Sequence, residues 1–107
     1  MTNLILLAAM ALAPLTVKTV PSVCADPCQV RINIRVQPHE ANRYLVVELN
    51  GEPMFRGSIL PLRGEASPAT QPEITFSGVP TGDYQIRVIL YRGKKEFTRT
   101  TTALQVN

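Results

Sequence analysis

Three side chains near the start of the chain could bind a metal ion. Cys24 and Cys28 lie close together in the stretch CADPC, and His39, the single histidine, follows them. Thiolate and imidazole are common zinc ligands, but a closed structural site needs four. Because the sequence offers no evident fourth ligand, we predict no metal site and no cofactor. A small metal or ligand carrier that uses Cys28 and His39 is the alternative function.

Asp83 and Tyr84 are adjacent and could in principle act as an acid/base pair. Such chemistry needs partners that position the groups and tune their pKa values. No serine or cysteine nucleophile accompanies either this pair or His39 in the sequence. No glycine-rich phosphate loop leads from a strand into a helix. We therefore predict that the protein is not an enzyme.

The charge of the chain is nearly balanced, with 11 Lys+Arg against 8 Asp+Glu and a formal net charge of +3. The basic residues are scattered, apart from the pair Lys94 and Lys95. Nucleic-acid-binding proteins usually cluster their basic residues in a run or on one face. We therefore do not expect nucleic acid as a partner.

The first residues differ from the rest, because the run from Leu4 to Val17 is apolar apart from Pro14 and Thr16. Small residues precede Asp26, so the pattern is typical of a secretory signal peptide. We predict a helical signal peptide over residues 1–25, a mature domain over residues 26–107, and a secreted or periplasmic location. The run is short for a membrane span, which needs about 20 apolar residues. A membrane-tethered surface protein with an uncleaved leader is a further alternative.

The cleavage site decides what the cysteines do. Cleavage after Ala25 would remove Cys24 and leave Cys28 unpaired, which indicates a disulfide-linked dimer through Cys28. Cleavage further upstream would allow Cys24 and Cys28 to close a small loop within the chain. The sequence leaves both outcomes open.

Apolar and polar residues alternate with a period of two from Cys28 onward, which is typical of half-buried strands. The clearest strands are CQVRINIRV, YLVVEL and YQIRVILY, and Asn50-Gly51 is typical of a tight turn because both residues tolerate positive φ. A short strand is predicted over residues 54–59, and the residues from Pro61 to Pro72 are predicted to form a loop. We predict an all-β fold, an antiparallel Ig-like β-sandwich of six to seven strands that follows the signal-peptide helix.

The stretch VPTGDYQIRV precedes and enters the penultimate strand. We expect Pro80 to fix φ, Gly82 to allow positive φ, Asp83 to bond to the turn backbone, and Tyr84 to bury its ring. The segment from Phe76 to Leu90 resembles bacterial extracytoplasmic Ig-like and fibronectin-III-like modules, including carboxypeptidase-regulatory-like domains. This resemblance implies a tyrosine corner, in which the Tyr84 hydroxyl bonds to backbone upstream.

The outward positions of the penultimate strand carry Arg87, Ile89 and Tyr91, and the final strand beside it adds Arg99. The short strand near Arg56 is expected to flank the penultimate strand on its other side. Arginine, aromatic and aliphatic side chains together are the composition of a partner-contact surface. We predict a binding or structural accessory module that recognises a protein or cell-envelope component through this sheet face or through the loop from Pro61 to Pro72. Serine substitutions at Ile89 and Tyr91 are expected to abolish association without unfolding the protein.

Overall fold

The computed structural model describes residues 13–20, 23–62 and 72–107. Eight strands lie within these ranges: β1 (Leu15–Val20), β2 (Val23–Cys24), β3 (Cys28–Val36), β4 (Asn42–Gly51), β5 (Phe55–Pro61), β6 (Glu73–Val79), β7 (Gly82–Arg92) and β8 (Lys95–Val106). In the same ranges, no helix is long and apolar enough to cross a membrane. The predicted loop between β5 and β6 lies largely outside the described residues.

The strands form two sheets. The smaller sheet has the order β1-β3-β6 and the larger has the order β2-β8-β7-β4-β5. All neighbouring strands are antiparallel except β2 and β8, which pair in parallel over two residues. The predicted antiparallel Ig-like β-sandwich is confirmed.

Each sheet contributes one apolar face to the core, as the period-two pattern predicts. The fully buried side chains with the largest volumes come from β3, β4, β7 and β8 and from the end of β6: Val30, Ile32, Ile34, Val36, Leu45, Leu49, Val47, Val79, Ile86, Val88, Leu90 and Leu104. The alternate residues of β4 and β7 point away from the core. They form the outer face of the larger sheet, which is the face that the sequence assigns to a partner.

Residues 15–20 form the strand β1. The prediction that they belong to a signal-peptide helix is therefore wrong for these residues. The strand pairs with β3 from Leu15 opposite Val36 to Val20 opposite Arg31. Leu15 is buried, and Val17 packs against the core. Residues 15–20 alternate between inward and outward positions, so this end of the apolar run fits a pleated edge strand. Residues 1–12 of the predicted signal-peptide helix lie outside the described residues, and removal of a leader stays a prediction.

Cys24 and Cys28 form a disulfide, with their Cα atoms 5.8 Å apart. The same segment is hydrogen-bonded to Asn107. The Asn107 N–H donates to the Cys24 carbonyl at 2.8 Å, and the Asn107 carbonyl accepts from the Asp26 N–H at 2.9 Å. When Cys24 is present, the Cys28 sulfur is therefore bonded to Cys24 of the same chain. A disulfide-linked dimer through Cys28 would require the loss of Cys24.

The predicted tight turn at Asn50-Gly51 is wrong in its position, because both residues belong to β4. β4 continues through Gly51, and the turn follows it, closed by a hydrogen bond of 3.1 Å from the Gly51 N–H to the Met54 carbonyl. Position 51 requires glycine because its backbone lies close to the Tyr84 ring on the neighbouring strand. A Cβ at position 51 would lie 2.5 Å from Cδ2 of Tyr84, the residue opposite it on β7.

Candidate binding surface

Strand pairing arranges the outer face of the larger sheet in rows that run across β5, β4, β7 and β8. Three successive rows are Pro61, Tyr44, Tyr91 and Glu96; Ile59, Val46, Ile89 and Arg99; and Gly57, Glu48, Arg87 and Thr101. The four residues that the sequence proposes, Arg87, Ile89, Tyr91 and Arg99, therefore lie together. We give the name outer patch to the β4 and β7 residues of these rows together with Arg99 of β8: Tyr44, Val46, Glu48, Arg87, Ile89, Tyr91 and Arg99.

Two tyrosines form one end of the outer patch. The rings of Tyr44 and Tyr91 are stacked, with their centroids 4.7 Å apart and their planes inclined by 16°. Tyr44 is a neighbour that the sequence analysis did not identify. Its place beside Tyr91 depends on the register between β4 and β7, which includes a bulge next to Asn42. No single-strand pattern specifies that register.

Ile89 points outward but is only 6% exposed. Val46 and Arg99 flank it across the sheet, and Arg87 and Tyr91 flank it along β7. It is therefore the apolar base of the outer patch and not a freely exposed contact residue. This corrects the expectation that serine at Ile89 leaves folding intact, because the substitution would place a polar side chain in an apolar, buried position.

Each arginine of the outer patch has a carboxylate partner. Arg87 Nη1 lies 3.3 Å from Glu48 Oε1 on the neighbouring strand. Arg99 Nε donates a hydrogen bond of 2.6 Å to Glu96 Oε2, and a second bond joins the same two side chains. These hydrogen bonds lower the pKa of the Glu96 carboxyl and raise the pKa of Arg99. Glu96 and Arg99 are solvent-exposed, so their pairing orients the arginine more than it stabilises the fold.

β5 occupies a different place from the one that the sequence suggests. A strand near Arg56 was expected to flank the penultimate strand directly. In the structure β4 lies beside β7, and β5 is one strand further out, at the edge of the sheet. The long β4, from Asn42 to Gly51, pairs with β7 along most of its length and fills that position.

The turn before β7 has the tyrosine-corner geometry that the sequence resemblance implies. The Tyr84 hydroxyl donates a hydrogen bond of 2.8 Å to the Pro80 carbonyl, and Gly82 has a φ of +157°. A Cβ at Gly82 would lie 2.9 Å from Pro53 Cγ, so the site favours glycine for space as well as for backbone freedom.

The carboxylate that bonds to this turn belongs to Asp26 and not to Asp83. Asp26 Oδ2 accepts hydrogen bonds of 3.2 Å from the Thr81 N–H and from the Thr81 hydroxyl. Asp83 is exposed on the outer face of β7, opposite Gln105. The expectation for Asp83 is wrong because Gly82 already belongs to β7, so the residue after it points away from the turn. The partner comes from 55 positions away, which local sequence cannot reveal.

We expect Tyr84→Phe to destabilise the protein by about 1 kcal/mol at neutral pH, because it removes one hydrogen bond. Burial raises the pKa of the Tyr84 phenol, and the charge of Asp26 raises it further. The folded protein then holds this proton more tightly than the unfolded chain does, whose pKa is about 10. The stability that the proton contributes is complete below about pH 10 and is lost as the pH rises through the folded pKa. Urea unfolding at about pH 7 and above pH 10 measures both effects, and equal alkaline losses in wild type and variant would contradict this account.

The two residues of the alternative carrier function do not meet. Cys28 begins β3, and His39 follows the end of that strand. A strand rises about 3.3 Å per residue, so β3 is roughly 26 Å long from Cys28 to Val36, and His39 lies beyond its far end. Cys28 is also bonded to Cys24, and the His39 Nδ1 accepts a hydrogen bond of 3.0 Å from the Ala41 N–H. A metal held jointly by Cys28 and His39 is therefore ruled out in this fold. Elsewhere in the described ranges, no group of three or more His, Cys, Asp and Glu side chains could hold a metal ion.

No family model matches the sequence, and no curated protein matches it. Among solved structures, the chain is similar to the CARDB domain of the PF1109 protein from Pyrococcus furiosus, crystallised in complex with di-metal ions. The TM-score is 0.53 at 14% sequence identity, and the match covers 86% of this chain and 91% of that one. The likeness supports the general resemblance to β-sandwich modules but not the specific one to carboxypeptidase-regulatory-like domains. At this identity it shows the fold alone, which is that of an Ig-like β-sandwich.

Proposed function

We propose that this chain is an exported, non-enzymatic binding module that recognises a protein partner through the outer patch. The observation that carries the proposal is the composition of the patch. Stacked tyrosines and two arginines surround a buried isoleucine on one regular sheet face. Tyrosine and arginine are the side chains most often responsible for binding energy at protein interfaces.

The contacts within the outer patch favour binding because they reduce the side-chain conformational entropy that is lost when a partner binds. Stacking restricts Tyr44 and Tyr91, and the carboxylates of Glu48 and Glu96 hold Arg87 and Arg99. Immobilising a flexible side chain at an interface costs about 0.5–1.5 kcal/mol. Side chains that are already restrained before association lose less of this freedom.

Two features support export. The part of the apolar run that precedes β1, residues 4–14, has the length of the apolar core of a secretory leader. The disulfide between Cys24 and Cys28 is a feature of proteins in oxidising compartments, whereas cytosolic thiols are usually kept reduced. We propose a secreted or periplasmic location on these grounds. A tethered form that keeps its leader is the alternative.

Capture from the cell envelope of the native host tests the proposed surface. The baits are the wild-type protein, a variant with Tyr91→Ser and Arg99→Ser, and a control with Arg31→Ser and Arg35→Ser. The control removes exposed residues from β3 in the other sheet. We expect the same partner with the wild type and the control, and at least about tenfold less with the outer-patch variant, which corresponds to about 1.4 kcal/mol. Equal capture by all three folded baits would contradict the proposal.

A further inference from the structure

Within residues 13–20, 23–62 and 72–107, β5 is an edge strand, and one side of its backbone pairs with no other strand. Gly51 N–H bonds to the Met54 carbonyl, and Leu62 N–H bonds to the Arg43 carbonyl at 2.7 Å. Backbone groups in an antiparallel pair point alternately toward and away from the neighbouring strand. The even-numbered residues of β5 therefore bond to β4. The odd-numbered residues Phe55, Gly57, Ile59 and Pro61 direct their backbone groups to the free edge.

The same odd-numbered residues place apolar side chains on the outer face beside this edge. Ile59 is 66% exposed and Phe55 is 59% exposed, and both are among the most exposed large hydrophobic side chains of the described residues. The Phe55 ring lies along Gly57, 3.7 Å from where a Cβ would be. An exposed apolar edge with unpaired backbone groups is a template for pairing with another strand.

The sequence of β5 is complementary to itself in one antiparallel register. Centring the pairing on Gly57 places Phe55 of each copy opposite Ile59 of the other, and their backbone groups can exchange both hydrogen bonds. Arg56 then lies opposite Ser58. Its guanidinium already donates a hydrogen bond of 3.0 Å to the Ser77 carbonyl of β6, so it is directed toward the other sheet.

The two neighbouring registers that keep the same faces together are less favourable. Centring on Arg56 would place two guanidinium groups directly opposite each other, which is destabilising. Centring on Ser58 would place Phe55 opposite Pro61, which has no N–H to donate. The register centred on Gly57 is therefore favoured, because it places no two arginines opposite each other and pairs Phe55 with Ile59 in both directions.

We propose that two copies of this chain associate through their β5 edges, antiparallel and centred on Gly57, so that the larger sheets of both copies form one continuous sheet. The occupant of the edge is a second copy because the complementarity is reciprocal, as a two-fold interface requires. This contact lies beside the outer patch and uses different residues, so it does not depend on the proposed function.

Gly57→Cys in the full chain tests the proposed register. In a hydrogen-bonded antiparallel pair the facing Cα atoms are about 5.5 Å apart, which suits a disulfide. The atoms nearest to a Cβ at position 57 belong to the Phe55 ring and the Val47 carbonyl, at 3.7 Å and 3.9 Å, which are ordinary contact distances, so the variant should fold. Oxidation should join two chains through the introduced cysteine, identified by peptide mapping, at least roughly tenfold faster than it joins Thr101→Cys chains. Thr101 is equally exposed on the outer face but lies on β8.

Ser58→Cys is the control for register, because two such residues face each other only if the pairing is centred on Ser58. Faster cross-linking of Ser58→Cys than of Gly57→Cys would overturn the proposal, as would equal rates for Gly57→Cys and Thr101→Cys. Cross-links from the cysteine introduced at position 57 to a different protein, in place of a second copy, would also overturn it.

Sedimentation velocity tests the association without an added cysteine. Over a concentration series up to about 1 mM, the wild type and Ala103→Lys should form dimers, whereas Ile59→Lys should remain monomeric. Ala103 is exposed on the outer face of β8, so its variant carries the same added charge away from the edge. A wild type that stays monomeric throughout, or an Ile59→Lys variant that dimerises as the wild type does, would refute the β5 contact.

Discussion

A chain that begins at Asp26 should be less stable than one that begins at Ala13 by about 4–6 kcal/mol. The shorter chain loses β1, and with it the buried side chain of Leu15 and the packing of Val17. Burying an aliphatic side chain of this size contributes about 1.5–3 kcal/mol when burial is complete. It also loses the disulfide from Cys24 to Cys28, whose short loop contributes about 2 kcal/mol in the chain-entropy account.

The loss is large because domains of this size are usually stable by only about 5–15 kcal/mol. Urea unfolding of the two chains without reducing agent measures the difference. Unfolding of the longer chain with a reducing agent isolates the disulfide, because it leaves the buried Cys28 side chain in place, and should cost only about 2 kcal/mol. Equal unfolding midpoints for the chains that begin at Ala13 and Asp26 would show that β1 does not stabilise the sandwich.

The mass of the protein recovered from its native host, without reduction, connects this result to export. A mass that begins at Asp26 would show that the leader is removed together with β1 and Cys24, and a doubled mass would show a dimer through Cys28. A start after Met1 but no later than Leu15 would show a shorter leader whose removal keeps β1 and the disulfide. A full-length mass would favour the tethered alternative over the exported module.

Gly51→Ala should destabilise the protein by about 2–3 kcal/mol, near the upper end of the usual cost of overpacking. The added Cβ would lie 2.5 Å from Tyr84 Cδ2 and 2.9 Å from the Asp83 carbonyl oxygen. The ring cannot move away easily, because its hydroxyl is bonded to Pro80 and the residue is 2% exposed. Either the tyrosine corner or the pairing of β4 with β7 must therefore distort.

A double-mutant cycle with Tyr84→Leu identifies the cause. Leucine lacks Cε2 and has no hydroxyl bonded to Pro80, so its Cδ atoms can rotate away from the new Cβ, and Gly51→Ala should cost at least about 1 kcal/mol less in that background. Gly57→Ala is the matched control on the neighbouring strand, since its Cβ would meet the nearest atom at 3.7 Å. The explanation fails if Gly51→Ala costs the same with leucine at position 84, or if both glycine variants behave alike in urea unfolding.

Much of the fold follows from local pattern. The alternation in CQVRINIRV and YQIRVILY predicts β3 and β7 and the faces that they bury, because a strand exposes its side chains with a period of two. The same alternation places Arg87, Ile89 and Tyr91 on one outward face. Adjacency of the last two strands, joined by a short turn, then brings Arg99 beside them.

Other features depend on contacts that no local pattern contains. Tyr44 stacks on Tyr91 only because β4 pairs with β7 in one register. Ile89 has an outward position but is buried by neighbours on both adjacent strands. In the sequence, the apolar residues of β1 look like the end of a leader. Their role as a strand depends on hydrogen bonding to β3, which local sequence does not show.

Local sequence patterns are sufficient to predict the β-sandwich, the side chains of each strand that face the core, and the side chains that share the outward face of the penultimate strand. Those properties depend on hydrophobic alternation and turn residues, which act over a few positions. Three other features appear only in the folded chain: Gly51 accommodates Tyr84, Asp26 bonds to the turn at Thr81, and β5 lies at the edge of the larger sheet among the described strands. These depend on register and sheet order, which arise from the packing of residues far apart in the chain.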